Sequence, residues 1–203
     1  AAGQSSAIFA VTVNGETLVE LNETVLVNLS NVSGVVIGDG QGIGTITNDD
    51  SAVVAFNPVG VSQTEATSPM AFTVTLSNPV QSGVTLTLNS ATGTATAADY
   101  TPISGATVSF PASSAASQTV NVVIANDALD EDDETFTLTL SGLTATGNVT
   151  LGTAVATGTI LDDDATPTLS ITSPSQNEGN AGTSVMNFTV SLSAVSGRNV
   201  SFN

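Results

Sequence analysis

NDALDEDDETFTLTL, residues 126–140, runs from an acidic loop into a stretch where every second residue is apolar. In its second half Phe136, Leu138 and Leu140 alternate with Thr135, Thr137 and Thr139. Successive side chains of an extended chain point to opposite faces, so this period of two lays one face on a core. The same alternation recurs in Phe72, Val74 and Leu76 against Thr73, Thr75 and Ser77, and in Val84, Leu86 and Leu88 against Thr85 and Thr87. No stretch sustains the 3.6-residue apolar period of a helix. Val, Ile, Leu and Ala interleaved with Thr and Ser, and punctuated by 18 glycines, are the make-up of half-buried antiparallel strands with tight turns. The expected fold class is all-β, an Ig-like antiparallel sandwich of seven short strands.

Working outward, the acidic loop has a counterpart. Residues 126–136, NDALDEDDETF, match residues 15–25, GETLVELNETV, at an offset of 111. GTILDDD (158–164) matches GTITNDD (44–50) at 114, and FTVTLS (72–77) returns as FTVSLS (188–193) at 116. A period of 111–116 residues is the size of a sandwich domain and far exceeds a solenoid unit. The expected organisation is tandem: 1–50 the C-terminal half of one repeat, 51–164 a complete repeat, and 165–203 the N-terminal half of the next. Half-sandwiches expose a core face and a strand edge. The C-terminal half of one copy is therefore expected to meet the N-terminal half of the next, head to tail, through chain continuation or strand complementation.

Composition excludes several functions. The chain has no His, no Cys and no Trp, Arg198 is its only basic residue, and its formal net charge is −17. It therefore carries no basic patch for nucleic acid or anionic lipid, and it has no apolar run long enough for a membrane-spanning helix. Nucleophile–His catalytic sets cannot be assembled without His, and a sugar cleft is not expected with 4% aromatics. The chain is expected not to be an enzyme.

The positions of the 18 acids say more than their number. In the central repeat they fall at Glu65, at Asp99, in the run Asp127 to Glu134, and in the triplet Asp162, Asp163 and Asp164. Thr and Ser cover the remaining polar faces. Carboxylates gathered without Lys or Arg repel one another and destabilise the compact state, and a hard divalent cation relieves this. Calcium takes about six to eight oxygens at roughly 2.3–2.6 Å in flexible geometry, whereas magnesium demands a tighter octahedron. Zinc and softer metals lack their His and Cys ligands. The 127–134 run is not an EF-hand loop, because Asp132 stands at the sixth position, where that loop needs Gly, and a strand follows.

Glu65, ADYTPISGATVSFPA (98–112), NDALDEDDETFTLTL (126–140) and TGTILDDD (157–164), in that order, resemble a Calx-β domain. This is the module of the regulatory loop of sodium–calcium exchangers, also found in large bacterial surface and secreted proteins. The resemblance implies a seven-stranded Ig-like sandwich with Ca2+ at one pole, beside the junction with the next domain. It implies ligands at Glu65, Asp99, Asp127, Glu131, Glu134, Asp162, Asp163 and Asp164. Asp130, Asp132 and Asp133 have no counterpart among those ligands and are expected to be a solvated acidic loop. The first, partial copy keeps Glu16, Glu20, Glu23, Asp49 and Asp50, but Asn48 replaces the first acid of its triplet, so weaker binding is expected there. Tyr100, the sole Tyr, is expected to be a packed anchor.

The expected function is that of a calcium-binding structural array, extracellular or on a cell surface, in which Ca2+ at the junctions stiffens a rod or filament and supports adhesion. The alternative is a regulatory calcium sensor like the exchanger modules.

Overall fold

The computed structural model describes residues 3–203, in which the regular elements are all strands. β1 (Glu23–Asn28) and β2 (Gln41–Ile46) form a hairpin. A central sandwich follows, from β3 (Ala52–Phe56), β4 (Gly60–Thr64), β5 (Met70–Leu76), β6 (Val84–Thr92), β7 (Ala106–Phe110), β8 (Gln118–Val122), β9 (Glu134–Ala145), β10 (Val149–Leu151) and β11 (Val155–Leu161). β12 (Leu169–Ile171) and β13 (Val190–Leu192) make a second hairpin. One sheet of the sandwich has the order β10-β3-β5-β8 and the other β4-β11-β9-β6-β7.

The sandwich has nine strands where the sequence suggested seven. Its first strand is split: the chain leaves one sheet after Phe56 and enters the other at Gly60, so β3 pairs with β10 and β4 with β11, both in parallel. The short β10 adds the other extra strand.

Burial follows the period of two. β5 buries Met70, Phe72, Val74 and Leu76, while β3 buries Ala52, Val54 and Phe56. Between the sheets, Phe72 makes edge-on contacts with Phe56 at 6.4 Å and Phe136 at 6.0 Å between ring centroids. Tyr100 is buried and stacks on Phe136 at 4.4 Å, as an anchor should. Such aromatic pairs add roughly 0.5–1.5 kcal/mol each beyond the area they bury. Gly158 lies opposite Phe136 in the β9–β11 ladder. A Cβ there would overlap the Phe136 ring, so the ring fits only over a bare backbone.

Topology brings the acids to one end. β4 ends at Thr64, one residue before Glu65; β9 begins at Glu134; β11 ends at Leu161, one residue before the triplet. Thr64 pairs with Leu161 and Glu134 with Ile160, and the Glu65 amide donates to the Leu161 carbonyl at 3.1 Å. The Asp99 segment joins them: β6 ends opposite Phe136, and the Gly93 and Ala95 amides both donate to the Thr135 carbonyl.

Both flanking segments touch the sandwich. Val19 is fully buried against it: its amide donates to the Pro79 carbonyl, the Gln81 amide donates to the Val19 carbonyl (both 2.9 Å), and Val80 lies opposite. Downstream, Asp130 lies opposite Ser196, and the Gly197 amide donates to its carbonyl at 3.0 Å.

Gly158→Ala forces Phe136 off its seat. It is expected to destabilise the sandwich by about 1–3 kcal/mol, the usual effect of overpacking a close-packed core. Urea unfolding followed by tyrosine fluorescence checks this, with Gly60→Ala, whose added Cβ meets only the Thr157 carbonyl oxygen at an ordinary 3.9 Å, as the surface comparison.

Candidate metal centre

The pole gathers carboxylates into two groups. Oxygens of Glu65, Asp162 and Asp164 lie within 4.8 Å of one another, and so do oxygens of Asp99, Glu131 and Glu134. Both groups contribute to one small cavity, which Asp132 and Ile160 also line. Five residues named from the sequence, Glu65, Asp99, Glu131, Glu134 and Asp162, thus line it, and Asp164 joins them through its group. Asp127 sits beside them: its charge raises the carboxyls of Glu65 and Glu131, and its own side chain accepts the Leu129 amide at 2.8 Å. Asp163 is exposed and belongs to neither group.

Local hydrogen bonds fix the loops. The Glu131 amide donates to Asp162 Oδ1 at 3.2 Å, and the Asp162 amide donates to Asp133 Oδ1 at 3.2 Å, so the acidic loop and the triplet hold each other. Asp99 Oδ2 accepts the Thr96 amide at 2.6 Å and the Thr96 hydroxyl at 2.9 Å.

Asp130 corrects the expectation of a solvated loop. It is 2% exposed, accepts the hydroxyls of Thr166 and Ser196 at 3.1 Å each, and lies 3.8 Å from Arg198 Nη1. Arg198 also meets Asp132 at 3.1 Å and Asp162 at 3.9 Å, and donates to the Glu131 carbonyl. Asp132 remains exposed. The only cation of the chain is thus spent on the rim of the acidic pole. Sequence spacing had no means of showing this, because the donors come from the segment after β11 and from beyond β13.

The electrostatics show what the site lacks. Burial and then the neighbouring Asp164 carboxylate push the Glu65 carboxyl up to about 7. Burial and then Asp99 push Glu134 up to about 7. Glu131 is also raised, by burial first and then by Asp99, Asp127, Asp162 and Asp164. Asp99 is the exception. Burial works to raise it, but the two Thr96 hydrogen bonds and Glu134 outweigh burial and hold it below the ordinary range. Glu65 Oε1 and Asp164 Oδ2 are buried with no hydrogen-bond donor. Buried polar atoms are nearly always satisfied, and an orphan calls for a missing partner. Acceptor-only oxygens in close groups fit a hard cation. Glu65, Asp162 and Asp164 would hold one ion, and Asp99, Glu131 and Glu134 another, each with oxygen donors alone.

The acids of the first segment also meet. Glu16, Glu20, Glu23, Asp49 and Asp50 line a wider hollow with Asn14, Asn48 and Thr47. Glu20 and Asp50 are raised, by desolvation first and then by the charges of their acidic neighbours. Among the described residues, no three of these carboxylates approach as closely as the two central groups do.

Comparison with known proteins agrees with this architecture. The sequence profile of the Calx-beta domain matches residues 47–164, more than half of the chain. No curated protein matches. Among solved structures, the apo-form Calx CBD1 domain is similar with a TM-score of 0.51 and 24% identity, over 56% of this chain and 98% of that one. CBD12 from CALX1.2 is similar with a TM-score of 0.51 and 25% identity, over 55% of this chain and 46% of that one. The calcium binding domain CBD12 of CALX1.1 has a TM-score of 0.51 and 22% identity, over 59% and 50%. At these identities the likeness concerns the fold.

The raised carboxyls carry a pH signature. In metal-free protein Glu65 and Glu134 bind protons up to about pH 7 when folded, against an ordinary value of 4.5. The folded state therefore holds more protons than the unfolded state between those values, and stability falls as pH rises through that window. The melting temperature in chelator is expected to drop from pH 4.5 to 7 and to level off above it. Thermal melts at half-unit pH steps check this; a melting temperature rising through the window would contradict it.

Proposed function

The chain belongs to the Calx-beta domain family, and from that premise we propose that it binds Ca2+ at the acidic pole of the central sandwich and uses the ion to lock the loops meeting there. The observation that carries this is the pair of buried, donorless oxygens on Glu65 and Asp164, set among carboxylates with raised proton affinity. Bound Ca2+ supplies the positive charge that lets these groups ionise together. The protein's own part is positioning: three strand ends and the Asp99 turn place the oxygens before any ion arrives.

The role we assign is structural. Calcium at the pole would brace the loop of residues 126–134, which also touches Ser196 and Gly197 of the following segment, so binding would stiffen the junction. Glu16, Glu20, Glu23, Asp49 and Asp50 would form a weaker site at the junction before. With no Cys, the chain has no disulfide to brace these junctions. A cell-surface or extracellular array supporting adhesion is the setting in which we place such a module, where modest affinity suffices, with Kd about 10⁻⁴ to 10⁻³ M.

A regulatory calcium sensor is the second reading, favoured by the likeness to calcium binding domain CBD12 of CALX1.1. Affinity separates the two. Titration calorimetry giving Kd in the micromolar range or tighter favours sensing.

Glu65→Gln tests the site itself. The amide gives Asp164 a donor and removes one charge, so stability in chelator is expected to hold or rise. Calcium affinity is expected to fall by more than about tenfold, as it does even when only a group that orients a metal ligand is changed. Wild-type protein at a hundredfold excess over Kd should gain about 2.7 kcal/mol, and the variant much less at the same concentration. Thermal melts with calcium and with chelator provide the measurement, and equal calcium responses of the two proteins would sink the assignment.

A further inference from the structure

The two hairpins outside the sandwich repeat its pairings with their cores uncovered. In β1–β2, Glu23 faces Ile46 and Val25 faces Gly44; in β9–β11, Glu134 faces Ile160 and Phe136 faces Gly158. These are the same pairs at the sequence offsets 111 and 114. In β12–β13, Leu169 faces Leu192 and Ile171 faces Val190; in β3–β5, Val54 faces Leu76 and Phe56 faces Val74. Here too register and residue type coincide. Exposure does not: Phe72 is fully buried, whereas its counterpart Phe188 is 57% exposed.

In the sandwich the free edge of β5 is covered by β8, with Met70 facing Val122 and Phe72 facing Val120. The β8 counterpart in the first segment is residues 7–13, AIFAVTV, where Phe9 answers to Val120 and Val11 to Val122. That segment lies outside any strand, and Ile8, Phe9, Val11 and Val13 are exposed. Among the described residues the equivalent edge, that of β13 and of residues 185–189 leading into it, has no further strand beside it.

We propose that residues 7–13 of one copy add as an antiparallel strand to the edge formed by β13 and the residues leading into it (185–189) in a second copy, with Phe9 facing Phe188 and Val11 facing Met186. Strand addition supplies the backbone partners that an open edge lacks, and alternate side chains set the register. Residues 5–14 and 185–193 carry no charged side chain, so the joint meets no local repulsion. The net charge of −17 on each copy opposes approach at low ionic strength, and salt screens that opposition. The joint uses no carboxylate of the acidic pole, so it stands or falls independently of calcium.

The chain has no Cys, which makes cross-linking a clean test. The full chain carrying Phe9→Cys and Phe188→Cys is oxidised in moderate salt and run on a non-reducing denaturing gel. Directly opposed antiparallel residues have the Cα separation a disulfide needs, so a ladder of covalent dimers and higher species is expected. The comparison pair Ile8→Cys with Phe188→Cys points its first thiol to the other face and should yield little. A cross-linked monomer would overturn the proposal, because the strand would then come from the same copy. Absence of cross-links, or equal yields from both pairs, would overturn it too.

Discussion

Mutual repulsion among carboxylates at one end of the central sandwich is the constraint from which the other features follow. Eighteen acids face a single Arg, and the ones that matter sit where three strand ends and a turn converge. Burial in that corner strengthens every like-charge contact, because little water is present to screen it. The molecule answers in three ways. It lets Glu65 and Glu134 keep protons to about pH 7. It places Arg198 on the rim, against Asp130, Asp132 and Asp162. It spends the backbone amides of Glu131 and Asp162 on neighbouring carboxylates. Once Glu65 has lost its proton, none of these supplies a partner for Glu65 Oε1 or Asp164 Oδ2, and a divalent cation is the partner we propose.

The core makes this arrangement rigid enough to matter. Phe136 sits two residues after Glu134 and packs against Phe72, Tyr100 and the bare backbone of Gly158. Tyr100 follows Asp99 directly. Two ligand candidates of one group are therefore anchored by one aromatic stack, so their separation is set by core packing and owes little to the loops. Asp99 is further held by Thr96. The site is preorganised in the sense that its oxygens are placed by elements that the hydrophobic core would fold in any case.

Much of this could be read from residues alone. The alternation Phe72-Val74-Leu76 marked a buried strand face, and the absence of His and Cys pointed to oxygen ligands. Partners distant in sequence could not be read. Asp130 looked like one more solvated acid because its partners, Thr166, Ser196 and Arg198, come from far downstream. Nor did the pattern distinguish Asp163 from its neighbours in DDD: a run leaving β11 turns successive side chains different ways, and only Asp162 and Asp164 face Glu65. The switch of the first strand between sheets after Phe56 also escaped the period-two pattern, which marks faces without saying which sheet they belong to.

On our reading the two carboxylate groups of the pole are cation sites. Native mass spectrometry of the chain across a calcium titration, with magnesium as the competing ion, tests it most directly. We expect two calcium ions to be retained at low millimolar calcium or below, to persist in excess magnesium and to be lost in chelator. A spectrum of unloaded protein throughout, or calcium adducts that rise without plateau and vanish in magnesium, would contradict that reading.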